Sequence, residues 1–354
     1  VSTPLGLILR ERIAKSGPVS VAEFMELALA HPDYGYYRRK DPLGVAGDFT
    51  TAPEISQMFG EMVGLWLAVV WQGMGAPSRF ILAEAGPGRG TLMADILRAG
   101  GMVPGFRQAA ELHLVETSPA LRAKQAETLK DASPHWHDDL ASLPEDAPLL
   151  FVANEFLDAL PIRQYVRVPD GWRERLVGRD GSGFAFVEGP LAAVSAPAGQ
   201  LGDICEINEP ARAVAALIGS RLAIQGGAAL LIDYGYEKTA VGDTLQAVRQ
   251  HAYAPVLEAI GESDLTAHVD FDAFARAAAG ARAYPLLNQG KFLRSMGIEL
   301  RAERLRQSQP SKSDEIMKAC RRLIDAAEMG TLFKVLCLTA PNLPIPPGFA
   351  ADDS

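Results

Sequence analysis

Residues 83–97, AEAGPGRGTLMADIL, set an acid, Glu84, and three alternate glycines, Gly86, Gly88 and Gly90, between an apolar run and the start of an amphipathic segment. A carboxylate closing a buried strand, then a glycine turn, then a helix N-terminus is a device for holding a ligand of nucleotide type. Glycine lets the backbone approach a guest with no Cβ in the way, and the first helical N–H groups point at it. Several ligand classes use this device. A P-loop needs lysine and a hydroxyl residue after the last glycine, but Gly90 is followed by Thr91 and Leu92, which excludes it. The dinucleotide pattern fits poorly. The spacing is Gly86-x-Gly88-x-Gly90, and the acid closing the next strand, Glu116, lies 30 residues past Gly86, where about 20 is usual for NAD. NAD is demoted, not excluded.

The arrangement that suits these residues is that of S-adenosyl-L-methionine in a Rossmann-like fold. Glu84 brings negative charge to a cationic ligand, and the glycines leave room where no diphosphate has to be cradled. At the end of LHLVE, Glu116 can accept hydrogen bonds from both ribose hydroxyls. Asp138 and Asp139 follow a third strand, HWH, where such proteins meet the adenine. His135 and His137 alternate on that strand, but no third and fourth ligand lies at useful spacing, so no metal is expected. The G-x-S-x-G elbow of serine hydrolases is missing.

The elements that must position these residues can be read from periodicity. From residue 79 the chain runs strand, helix, strand: FILAE, a helix from Thr91, LHLVE, a helix over 119–130, HWH and LLFVAN at 149–154. Such alternation predicts a parallel sheet of the α/β class. IRQYVRV, WRERLVG and GFAFVEG between 162 and 189 alternate apolar and polar residues around Pro169-Asp170-Gly171 and Asp180-Gly181, which predicts an inserted antiparallel meander. A helix over 209–225 and the strand ALLIDYG resume the main pattern, and TLFKVLCLTA forms a last strand. Before the sheet, 4–30 reads as two helices broken at Ser16-Gly17-Pro18. Thr51-Ala-Pro-Glu54 reads as a capping box opening a helix that runs through Val69. The expected layout is a helical cap and lid over 1–75, then a Rossmann-like methyltransferase domain over 76–340. That domain carries insertions at about 162–200 (the meander) and 240–330 (helical, on the substrate side), and a frayed proline-rich tail occupies 341–354.

Bulk properties narrow the partners. The 354 residues are 48% hydrophobic, enough for one large core or two smaller ones, and a net charge of −9 gives no general field for nucleic acid. The most apolar window, Met62 to Val70, is far shorter than the ~20 residues a membrane span requires. Three scattered cysteines, Cys205, Cys320 and Cys337, form no C-x-x-C pair, and the expectation is a cytoplasmic protein without a secretory signal.

Long stretches along nearly the whole chain resemble the MidA-like methyltransferase family, which includes a mitochondrial complex I assembly factor. They are HPDYGYY (31–37), GDFTTAPEISQMFG (47–60), AEAGPGRGTLMADIL (83–97), NEFLDALP (154–161), LLIDYGY (230–236), DLTAHVDF (264–271) and QGKFLRSMGI (289–298). The stretch DTLQAVRQH departs from the family pattern, which carries an aromatic residue near Val248. The resemblance implies methyl transfer to an arginine of a protein partner, a subunit of respiratory complex I. The site of action would be the cytoplasm for a bacterial member and the mitochondrial matrix for the eukaryotic ones. Arginine is a demanding acceptor, because its nitrogen must be aimed and its pKa exceeds ~12. Carboxylates suit that task, so Glu155 and Asp158 of NEFLDALP are expected as guanidinium clamps, Asn154 as a cofactor contact, and His268 as a base. Asp48, Thr51 and Pro53 are expected in a lid around the cofactor. Tyr34, Tyr36 and Tyr37 are expected to line a peptide groove, and Asp233, Tyr234 and Asp270 are, with His268, further candidates at the mouth of the pocket. Two other readings stay open: a cofactor-binding assembly chaperone without catalysis, and a small-molecule methyltransferase.

Overall fold

The computed structural model describes residues 3–39, 51–181 and 183–350, so Asp48 lies outside the described residues. The chain forms two compact units, one of residues 1–49, 157–213 and 236–273, the other of 50–156, 214–235 and 274–354. The residues expected as an N-terminal cap are therefore divided between the two.

The larger unit holds the predicted α/β sheet. Its main strands are β1 (Phe80–Ala85), β2 (Ala110–Val115), β3 (His135–His137), β4 (Leu149–Asn154), β5 (Gly227–Tyr236) and β6 (Phe333–Thr339). They lie in the order β6-β5-β4-β1-β2-β3, all parallel except β6, which runs antiparallel to β5. β1, β4 and nearly all of β5 are buried on both faces, which explains why they read as continuous apolar runs rather than alternating ones. The chain runs outward from β1 through β2 to β3 and then crosses back to β4 on the other side of β1, and such a reversal of strand order opens a crevice at the carboxyl ends of the strands.

Three helices matter for the site: α1 (Gln57–Gly73), α2 (Thr91–Gly100) and α3 (Pro119–Thr128). α1 and α2 pack closely because α1 carries glycine at the contact; a Cβ on Gly64 would sit 2.8 Å from the Ile96 carbonyl oxygen. Phe59, Trp66, Phe80, Ile96, Phe106, Leu230 and Val335 share the core of this unit. The proline-rich tail is docked rather than frayed as far as it is described. Phe349 is 5% exposed, and its ring packs near Trp66 and Phe292 at centroid distances of 6.4 and 6.1 Å. Burial of a large aromatic ring outweighs the fraying that proline and a chain end would otherwise favour.

The predicted helix from Thr51 is interrupted. Ala52–Ile55 makes one short turn, Ser56 is extended, and α1 starts afresh with the Ser56 Oγ accepting from the Met58 N–H at 3.2 Å. The Thr51 side chain makes no capping bond. The carboxylate expected to reach back to it, Glu54, instead accepts from the Thr91 hydroxyl at 2.6 Å.

The smaller unit has its own core. Helices Pro4–Ser16 and Val21–Ala30 form as predicted, the first ending at Gly17 with φ +82° and the second opened by a Ser20/Glu23 capping box. The predicted meander forms from Arg163–Val168, Gly171–Asp180 and Gly183–Ala192, and Val19–Ser20 pairs with its second strand. Leu5, Leu9, Phe24 and Met25 share a cluster with Ile162, Val177 and Leu265, so meander and N-terminal helices stabilise each other. Part of the region expected to be helical is β structure: Gln246–Arg249 pairs with both Ala252–Ala254 and Asp264–Thr266.

One buried charge braces the larger unit. Glu61 of α1, 3% exposed, receives Nε of Arg301 at 2.6 Å and Nη2 at 2.8 Å from helix α4 (Ile298–Ser308), and Nη1 of Arg98 from α2. Burial raises its pKa, but the hydrogen bonds and charges of Arg301 and Arg98 outweigh that and hold it below the usual carboxylate value of 4.5. Its stabilisation is therefore present above that value and lost as pH falls through the lower folded value. Glu61→Gln is expected to cost about 3 kcal/mol in urea unfolding near neutral pH, with the gap to wild type closing in acid.

Candidate functional site

The carboxyl ends of β1, β2 and β4 carry the candidate residues of the larger unit. Glu84 on β1 is 2% exposed, and its Oε2 has no hydrogen-bond partner. Burial alone pushes its pKa up to about 8. A buried acid left unneutralised is costly and calls for a cationic or donor partner. On β4, the buried Asn154 likewise has an unpartnered Oδ1.

The turn after β1 explains its glycines. Gly86, Gly88 and Gly90 have φ of +63°, +54° and +82°, a region that costs other residues strain. The Gly86 N–H donates to the Val115 carbonyl at 3.1 Å, tying the turn to the end of β2. A Cβ on Gly86 would meet the Phe156 ring at 3.0 Å, and one on Gly90 would meet Leu129 at 3.3 Å.

Glu116, just past β2, is half-buried, and burial raises its pKa while hydrogen bonds oppose the rise. Its Oε1 accepts from the Ser118 N–H at 2.7 Å and its Oε2 from Gln125 Nε2 at 3.3 Å. Gln125 also donates to the Gly88 carbonyl at 2.8 Å, and sequence reasoning had not singled it out. The two aspartates after β3 have local duties. Asp138, largely exposed, pairs with Arg122 at 2.7 Å, and Asp139 accepts from the Ser142 N–H at 2.8 Å, capping a single helical turn.

Glu155 takes a left-handed conformation, φ +50°, uncommon outside glycine. Its N–H donates to the Ile232 carbonyl at 2.9 Å, and its Oε1 accepts from the Ala52 N–H at 3.1 Å and Asn154 Nδ2 at 3.0 Å. The short turn containing Thr51 and the buried Pro53 is thus tied to the end of β4 through Glu155, and to the glycine turn through Glu54, which lies 3.8 Å from Arg89 and bonds Thr91. The structure therefore brings together Glu84, Gly86, Gly88, Gly90, Glu116, Asn154, Glu155, Thr51 and Pro53 in one unit. Asp233, also here, is buried and accepts from the Tyr234 N–H at 2.9 Å.

Asp158 and His268 belong to the smaller unit. Asp158 is buried, and its carbonyl accepts from the Ala267 N–H at 2.9 Å. His268 is half-buried, burial lowers its pKa, and its N–H donates to Thr244 Oγ1 at 2.9 Å. In the same unit Tyr37 donates to Asp264 Oδ1 at 2.9 Å, and Asp270 accepts from the Ala273 N–H at the start of a helix.

His113 on β2 joins His135 and His137, its Nδ1 lying 2.9 Å from Nε2 of His137 and its ring stacked on His135 at 5.2 Å. Burial and the two neighbouring imidazoles lower its pKa to about 4.

Residues 62–286 match a family described as "Putative S-adenosyl-L-methionine-dependent methyltransferase". The chain is 38% identical to protein arginine methyltransferase NDUFAF7, mitochondrial, of Danio rerio, over 92% of its own length and 84% of that protein. To the Homo sapiens protein of the same name it is 35% identical, over 95% and 83%. A crystal structure from Burkholderia thailandensis, bound to S-adenosyl-homocysteine, matches with a TM-score of 0.83 at 29% identity, covering 98% of this chain and 92% of that one.

The Glu84 carboxyl makes a prediction for the ligand-free protein. Its folded pKa of about 8 stands above the ordinary 4.5, so folding takes up a proton in that interval, and the associated stability is complete below it and lost as pH rises through it. Unfolding free energy is expected to fall on the order of 3 kcal/mol more steeply between about pH 5 and 8 in wild type than in Glu84→Gln. Parallel pH profiles in urea denaturation would contradict this.

Proposed function

The chain belongs to the family of S-adenosyl-L-methionine-dependent methyltransferases, and from that premise we propose that it methylates an arginine side chain of a protein partner. The observation that carries the cofactor half is the buried Glu84 carboxyl, whose Oε2 has no hydrogen-bond partner, beside a turn of three left-handed glycines. The acceptor half is supported by relatives that carry the name protein arginine methyltransferase over more than nine-tenths of this chain.

The residues present fit the cofactor. Glu84 and the Asn154 Oδ1 offer buried acceptors that want a cationic or N–H partner, and Glu116 offers a braced carboxylate for a ribose diol. The glycine turn supplies backbone at close approach, with Thr51 and Pro53 near it. The cofactor brings an electrophilic methyl group on a sulfonium. The chain's share of the reaction is to bind, orient and deprotonate. Asp158 is assigned to the guanidinium, where a carboxylate fixes the planar fork and draws positive charge to the nitrogens it touches. His268, kept neutral by burial, is assigned the proton released from the acceptor nitrogen. Glu155 holds the Ala52 turn in place, and in this proposal a clamp role belongs to it only alongside that task.

The resemblance along HPDYGYY, NEFLDALP and DLTAHVDF points to a subunit of respiratory complex I as the substrate. Cytoplasmic action is supported by three cysteines that are all free and buried.

Two measurements test this reading. Calorimetry should show S-adenosylhomocysteine binding to wild type and at least about hundredfold weaker binding to Gly88→Val, a branched residue at a left-handed position; preferential NADH binding would overturn the cofactor assignment. Mass spectrometry of the complex I subunit produced with and without this protein should show an arginine methylated only in its presence. If the arginine stays unmodified while assembly still needs the protein, the chaperone reading replaces the enzyme.

A further inference from the structure

Gln125 is fully buried in α3 and makes three hydrogen bonds to three different elements. Its Oε1 accepts from Trp136 Nε1 on β3 at 2.8 Å. Its Nε2 donates to the Gly88 carbonyl in the glycine turn at 2.8 Å and to Glu116 Oε2 at the end of β2 at 3.3 Å. An indole N–H can only donate and a backbone carbonyl can only accept, so the amide has one orientation. Trp136 thereby fixes which end of Gln125 faces the glycine turn.

The consequence falls on Glu116. One of its oxygens is braced by the Ser118 N–H and the other by Gln125. A carboxylate has roughly four acceptor positions; the N–H groups of Thr117 and Ser118 and the Gln125 amide hold it in place and leave acceptor capacity for a ribose hydroxyl. Without Gln125, the oxygen it braces would lose that donor, and the carboxylate would be held only by the backbone N–H groups of Thr117 and Ser118. The Gly88 carbonyl would lose its partner in the same change, releasing the turn from α3.

We propose that Gln125 is a positioning residue for the cofactor site, which sets the Glu116 carboxylate for the ribose diol and so determines how strongly the site prefers a ribose ligand. The inference rests on the assignment of Glu116 to the ribose. The competing role for a buried glutamine is to complete the packing of α3 on the sheet; that role gives no preference between ligands that differ by one hydroxyl.

The test uses the full chain, S-adenosylhomocysteine and its 2′-deoxy analogue, titrated by calorimetry. Gln125→Met keeps the volume and removes both amide functions; Trp136→Phe leaves Gln125 in place and frees its amide to turn. Wild type is expected to prefer the ribose ligand by about tenfold or more, the worth of a charge-assisted hydrogen bond. Gln125→Met should weaken S-adenosylhomocysteine by about that factor while the deoxy analogue changes little, so that the preference collapses, and Trp136→Phe should reduce it partway. Equal weakening of both ligands in a folded variant, or no weakening, overturns the proposal. If Gln125→Met does not fold, a full ribose preference in Trp136→Phe overturns it. Failure of wild type to bind S-adenosylhomocysteine would instead sink the cofactor reading itself.

Discussion

An acid with nothing to neutralise it sits where β1 ends. Glu84 is shut away from water, one of its oxygens has no partner, and burial alone lifts its pKa to about 8. Folding tolerates such a group only by leaving it protonated, which forfeits the solvation its carboxylate enjoys in the unfolded chain. The surrounding architecture makes that position unavoidable: a strand buried on both faces, flanked by β4 and β2, leads directly into the glycine turn. In the proposed function the missing counter-charge arrives with the ligand, so a structural liability becomes binding energy.

The rest of the larger unit keeps that position rigid. The glycine turn is tied to β2 through the Gly86 N–H and to α3 through the Gly88 carbonyl. Glu155, in a strained conformation, links the end of β4 to the Ala52 turn, and Glu54 carries that turn on to Thr91. Strain at a non-glycine residue costs on the order of 1–3 kcal/mol and persists where neighbours over-determine it; here the backbone bond to Ile232 and two bonds to one carboxylate oxygen do so.

What could be read from the sequence follows the range of the interactions involved. The parallel strands and the meander were legible because period and burial are local, and the glycine turn because left-handed backbone demands glycine. The break at Ser56 was not, since Thr51 and Glu54 form a well-spaced capping pattern and the partner that diverts Glu54, Thr91, lies 37 residues away. Gln125 escaped notice for the same reason: a lone amide on a helix has no periodicity, and its partners are 9, 11 and 37 residues distant. The smaller unit is assembled from three separated segments, which no composition shift announces. The docking of Phe349 overrode a proline-rich stretch that, taken alone, reads as loose.

The most direct test of the central claim is the number of protons released when S-adenosylhomocysteine binds, obtained near pH 7 from calorimetry in buffers of different ionisation enthalpy. A carboxyl that is mostly protonated in the free protein and ionised against a bound cation should release close to about one proton per site, and Glu84→Gln should release almost none. A binding heat independent of buffer in wild type would contradict the account, because Glu84 would then already be charged before the ligand arrives or remain neutral after it.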